Sequence, residues 1–111
     1  MLPKEVLFQI FWLIIFCMML WGMLTHHEII PKWVHQNDKT MHFVTFGLLA
    51  VVGHGALPGL PFFTLWLLIC LLGVIAEGAQ HFTVGHRFCW LDALANAMGA
   101  GGSLLLLQWS I

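Results

Sequence analysis

Four long apolar runs occupy most of a chain of only 111 residues, and they constrain its fold more than anything else in it. Val6 to Leu24 is unbroken except for Gln9. Met41 to Leu57 is shorter and interrupted by His42 and His54. Leu60 to Gln80 is continuous as far as Glu77, and Phe88 to Leu107 is rich in small residues apart from Asp92 and Asn96. Each run approaches the roughly 20 residues that carry a helix across a bilayer about 30 Å thick. Only 8% of the residues are charged and 60% are hydrophobic, whereas a water-soluble domain carries about a quarter charged residues. The expected fold is an all-α membrane protein: one domain, 1–111, of four transmembrane helices at about 6–24, 40–57, 60–80 and 89–107. The first run is too long for a signal-peptide core and lacks a small-residue cleavage site, so it is expected to remain as a helix. Net charge near zero and the lack of a basic stripe exclude a nucleic-acid partner. Cys17 and Cys70 fall within spans and read as core packing, not as a disulfide.

The connections are short: Thr25 to Asn37, Pro58 to Pro61 and Thr83 to Cys89. The Leu57-Pro58-Gly59-Leu60-Pro61 turn forces the second and third helices into an antiparallel hairpin. Four spans place both termini on one side of the membrane and the first and third loops on the other. That topology gathers the polar residues. Asp38, Lys39 and His42 open the second helix, Glu77 and Gln80 close the third, Arg87 lies in the third loop, and Asp92 and Asn96 open the fourth. Asp38–His42, Glu77–Gln80 and Asp92–Asn96 are i,i+4 or i,i+3 pairs, so each pair shares a helix face. Lipid penalises such groups, so those faces are expected to turn inward and form a half-buried interfacial pocket. Ala93, Ala97 and Gly101, with Ala95 and Gly99, form small-residue stripes that let neighbouring helices approach closely.

The residues Asp38-Lys39-x-x-His42-Phe43-x-x-Phe46-x-Leu48, then Glu77-x-x-Gln80, then Gly85-x-Arg87-x-x-x-x-Asp92-x-x-x-Asn96-x-x-Gly99 resemble the VanZ-like family. Those small bacterial membrane proteins are named for a member associated with teicoplanin resistance. The resemblance covers roughly Asp38 to Gly102. It implies that Asp38, Lys39, His42, Glu77, Gln80, Arg87, Asp92 and Asn96 are the functional positions. It also implies a bacterial cytoplasmic membrane location and a link to the cell envelope.

Several readings of this set stay open. In the first, Glu77, His42, Asp92 and Arg87 are catalytic. Burial separates the acidities of two carboxyl groups into an acid and a base, the Arg87 fork suits phosphate, and His42 acts as base or nucleophile. Asp38, Lys39, Gln80 and Asn96 then bind the substrate, a lipid-linked phosphate among the membrane lipids. In the second, the cluster is a network of ion pairs and caps that pins three helix ends in a non-catalytic accessory or lipid-binding protein. A small proton-coupled transporter fits less well, because no acid lies between Val6 and Leu24. His26, His27, His35, His81 and His86 fall on or beside the loops without H-x-x-x-H spacing, so neither a metal nor another cofactor is expected. His54 reads as packing, and the six tryptophans read mainly as interfacial anchors or lipid-facing packing. Lys32, Lys39 and Arg87 against Lys4 put the pocket in the cytoplasm by charge count. Neutralisation of Lys39 and Arg87 within the cluster, together with the family's link to a drug acting outside, puts it on the outer face.

Overall fold

A computed structural model describes residues 3–24, 38–83 and 90–110, with the side chains of Asp38 and Thr83 outside that description. All regular structure in it is helical: α1 (Lys4–Leu24), α2 (Asp38–Ala56), α3 (Phe62–Thr83) and α4 (Trp90–Ser110). Each of the long helices α1, α3 and α4 has about 21 residues, which at about 1.5 Å per residue gives roughly 32 Å, enough to cross the hydrocarbon core. Those three are long and apolar enough to do so. The helix expected at 40–57 forms, but α2 falls short of the apolarity of the other three. α2 and α3 each pack against all three other helices, whereas α1 and α4 do not meet among the described residues. The less apolar residues of α2 divide by face: His42 and Gly47 are buried, Lys39 is exposed at the start of the helix, and Phe43, Val44, Leu48 and Val51 give it an apolar outer face.

The hairpin between α2 and α3 is closed as the sequence predicts. The Leu60 N–H donates to the Leu57 carbonyl at 3.1 Å, with Pro58 in the second turn position, where its fixed φ is favourable. Pro61 then immediately precedes α3, and its carbonyl accepts the Leu65 N–H at 3.0 Å, the first bond of the helix.

The bundle is apolar outside as well as inside. Met18, Phe63, Leu71, Leu105 and Leu106 are all exposed, a surface that a monomer in water rarely tolerates. Its core is small: Phe46, Leu49 and Ala50 of α2, Leu65 and Ile69 of α3, and Ala100 and Leu104 of α4. In lipid, association of such helices depends on close packing and interhelical hydrogen bonds more than on expulsion of water. Glycine supplies the close packing. A Cβ on Gly99 would overlap the Phe43 carbonyl group of α2, and one on Gly47 would stand 2.6 Å from Ser103 Oγ. The stripe of Ala93, Ala97 and Gly101 faces another neighbour: a Cβ on Gly101 would stand 2.9 Å from the Trp66 indole nitrogen of α3.

Hydrogen bonds complete the contacts. Trp12 Nε1 donates to the Leu49 carbonyl and Trp66 Nε1 to the Ala97 carbonyl, both at 2.9 Å. These two tryptophans are therefore clamps between helices and not interfacial anchors, while Trp21, Trp90 and Trp109 are exposed. His54 stacks on Phe62 at 4.7 Å between ring centroids, in agreement with a packing role. Cys17 does not: it is exposed on α1, where only Met23 is buried, so its assignment to the core is corrected. α1 covers the bundle from one side, and a cysteine on its outer face meets lipid at little cost.

Candidate functional site

The C-terminal ends of α1 and α3 and the N-terminal ends of α2 and α4 meet at one end of the bundle. Lys39 and His42 stand one turn apart at the start of α2, Asp92 and Asn96 one turn apart at the start of α4, and Glu77 and Gln80 in the last two turns of α3. Helical periodicity turns each pair to one side, and the approach of α2 to α4 at Gly99 brings two of those sides together. His42 Nδ1 lies 2.8 Å from Asn96 Oδ1, and Lys39 Nζ lies 3.2 Å from Asp92 Oδ1. One ligand atom each from His42, Glu77 and Asp92 falls within 4.8 Å of the others.

Burial goes further than the half-buried pocket expected from the sequence. His42 is 6% exposed, Asp92 and Asn96 1%, and Glu77 not at all. The lipid penalty draws these groups inward, and the small residues of α4 leave the helices close enough to enclose them. Lys39 differs, with 55% of its side chain exposed. Its flexible stem places an ammonium at the mouth of an otherwise enclosed cluster.

Proton placement within the cluster follows from its partners. Asn96 Oδ1 can only accept, so His42 Nδ1 donates, and neutral imidazole keeps its lone pair on Nε2. Phe46 backs the ring from one turn further along α2, with centroids 6.5 Å apart and planes 20° apart. On its far side Asn96 lies against α3: its Nδ2 would be 3.1 Å from a Cβ on Gly73. That Nδ2 and Gln80 Oε1 are buried without a hydrogen-bond partner among the described residues. Each such atom costs about 1–3 kcal/mol, and native structures keep few of them without a reason.

The sequence-predicted residues thus divide. Lys39, His42, Glu77, Asp92 and Asn96 come together. Gln80 turns its amide nitrogen to α1, donating to the Met23 carbonyl at 2.9 Å, so α1 closes the site alongside the three helices expected to build it. Asp38 opens α2, and its side chain lies outside the described residues, as does the whole of Arg87. The loop residues His26, His27, His35 and His86 also lie outside them, while His81 is exposed near the end of α3. Sequence reasoning missed Met23, which acts through its backbone and has no side-chain signature. It also missed Gly73, one turn before Glu77, whose missing Cβ leaves room for Asn96. The proximity of His42, Glu77 and Asp92 is new as well: it joins three helices, so no local spacing displays it. Compared with known proteins, the chain matches no family model, no curated protein and no solved structure.

Proposed function

We propose that this is a VanZ-like integral protein of the bacterial cytoplasmic membrane, with four spans and both termini on one side. Its polar cluster binds a lipid-linked or cell-envelope substrate presented at the outer face, in a context related to glycopeptide resistance. The observation that carries the reading is the burial of His42, Glu77, Asp92 and Asn96 at one end of a bundle that is otherwise apolar. Ionisable residues held inside a membrane bundle are functional by default, and the orphaned Asn96 Nδ2 and Gln80 Oε1 are suited to a ligand's polar atoms.

A phosphate headgroup would meet Lys39 first, and the resemblance adds Asp38 and Arg87, whose guanidinium suits phosphate. His42, oriented by Asn96, would serve as base, and Glu77 and Asp92 as an acid–base pair should the bound substrate be transformed. A groove of about 550 Å³ between α3 and α4 adds support. It is lined by Phe62, Phe63, Trp66, Leu94, Met98 and Leu105 and runs along α4 as far as Gln108. From Leu94 to Gln108 is about 21 Å at about 1.5 Å per residue, a length suited to a hydrocarbon tail.

A second reading has its own observations. The Lys39–Asp92 ion pair and the Gln80–Met23 hydrogen bond support a structural network in an accessory protein. Binding of a labelled polyisoprenyl phosphate to the protein in nanodiscs separates the two. The proposed function requires saturable binding that weakens in Lys39→Met and Asn96→Ala proteins of normal helicity. Equal uptake by wild type and both variants would leave the structural network standing. Chemical conversion of the bound lipid, lost in Glu77→Gln, would make the protein an enzyme.

A further inference from the structure

We propose that His42, Glu77 and Asp92 form a binding site for one first-row divalent transition cation, of the zinc or manganese class. One imidazole nitrogen and two carboxylate oxygens approach one point from α2, α3 and α4, and each offers an atom within 4.8 Å of the other two. Three ligands of a tetrahedral cation at about 2.1 Å stand about 3.4 Å apart, so atoms that lie within 4.8 Å of one another would close in by up to about 1.4 Å on binding. All three residues are buried, so the site excludes most competing water.

The imidazole is held as a ligating histidine is usually held. Metal-bound histidines donate the other ring N–H to an oxygen acceptor, which fixes the tautomer and raises the basicity of the ligating nitrogen. Here Nδ1 bonds to Asn96 Oδ1 at 2.8 Å, so in neutral imidazole Nε2 carries the lone pair and would be the ligating nitrogen. Asn96 is itself 1% exposed, so the acceptor that holds the ring is shielded from water. The mixture of donors sets the class of cation. Carboxylate oxygens accept many divalent ions, but imidazole favours transition metals over magnesium or calcium. With three protein ligands, a position stays open for water or a substrate oxygen, the arrangement of a catalytic rather than a structural metal centre. Lys39, at 3.2 Å from Asp92 and largely exposed, can swing outward as the cation enters.

This inference uses the same cluster as the proposed function, and a bound cation would replace the acid–base roles given there to His42, Glu77 and Asp92. It does not rest on the substrate, because it is tested with no lipid ligand present. Purified protein in detergent is stripped with a chelator and titrated with Zn²⁺ and, separately, Mn²⁺, and the bound metal is counted. One tight equivalent is expected. Asn96→Ala is expected to weaken it about 10–100-fold, the usual effect of losing the outer partner of a ligating histidine. Glu77→Gln and Asp92→Asn are expected to weaken it further while the far-ultraviolet spectrum stays helical. X-ray absorption of the zinc-loaded wild type is expected to show a single imidazole with oxygen neighbours. This readout holds even if a variant fails to fold. Two or more imidazoles would assign the metal to the other histidines and overturn the proposal. So would equal binding in folded Glu77→Gln protein, or no bound equivalent of either metal in wild type. Failure of polyisoprenyl phosphate binding would leave the metal count untouched, so the two ideas fall separately.

Discussion

Replacing Gly99 with alanine tests how the site is built, because the contact it disturbs lies next to the cluster. The added Cβ would stand 2.8 Å from the Phe43 carbonyl carbon and closer still to its oxygen. Both atoms belong to backbone, so no side chain can move away. Ordinary contact begins at 3.4 Å, so α2 and α4 must separate locally by at least about 0.6 Å. Overpacking of this kind costs about 1–3 kcal/mol. Phe43 is adjacent to His42, and Asn96 lies three residues before Gly99, so the separation also stretches the 2.8 Å His42–Asn96 hydrogen bond. Loss of that bond adds about 0.5–1.5 kcal/mol, while the better helix propensity of alanine returns up to about 1 kcal/mol. With the full propensity return, the expected net destabilisation is about 0.5–3.5 kcal/mol. Thermal unfolding in detergent, followed by circular dichroism, measures it against Gly102→Ala, whose Cβ meets nothing within 4 Å. Gly102→Ala should be neutral or slightly stabilising. A Gly99→Ala protein as stable as Gly102→Ala would refute the glycine-mediated contact between α2 and α4.

Other perturbations test single contacts. Trp66→Phe removes the hydrogen bond to the Ala97 carbonyl, and by the average for interhelical bonds in membranes should cost about 0.6 kcal/mol in the same unfolding assay. Gln80→Leu loses the bond to Met23 but also removes the orphaned Oε1, so its stability should stay within about 1 kcal/mol of wild type. Lys39→Met removes the cation beside the buried Asp92, while Lys39 itself is largely exposed. Its cost should fall between that of an exposed pair, below about 1 kcal/mol, and that of a buried one, about 3–5 kcal/mol, and it should weaken polyisoprenyl phosphate binding. A large fall in melting temperature for Lys39→Met would mark the ion pair as structural.

Much of this arrangement was legible in the sequence. Long apolar runs marked the helices, Pro58 and Pro61 marked the tight connection, and i,i+3 and i,i+4 spacing put Glu77 with Gln80 and Asp92 with Asn96. The small-residue stripes of α4 were legible as packing surfaces. Their division was not: Gly99 meets α2, whereas Gly101 meets the Trp66 indole of α3. Periodicity says which residues share a face, not which neighbour that face meets. The lower apolarity of α2 was visible as interruption by His42 and His54, but which of its polar residues is enclosed, His42 and not Lys39, belongs to tertiary structure. The same holds for Cys17, whose exposure depends on where α1 lies. The contribution of α1 to the site passes through a backbone carbonyl, and every residue type has one. The His42–Glu77–Asp92 set joins positions on three helices, a relation that no single segment encodes.

The central claim is that the buried cluster exists to bind and not to brace the fold, and the unfolding of chelator-stripped Glu77→Gln protein tests it most directly. Glu77 has no exposed surface, so the two accounts predict opposite signs. A carboxylate kept for a ligand is a cost to the empty protein, and its neutral isostere should unfold at the same temperature as wild type or higher. A carboxylate that braces three helices would leave its partners buried and uncompensated when removed, at a cost of about 3–5 kcal/mol. An unchanged or raised melting temperature, with metal and lipid binding lost, is the result predicted here. A clear fall in melting temperature would contradict it.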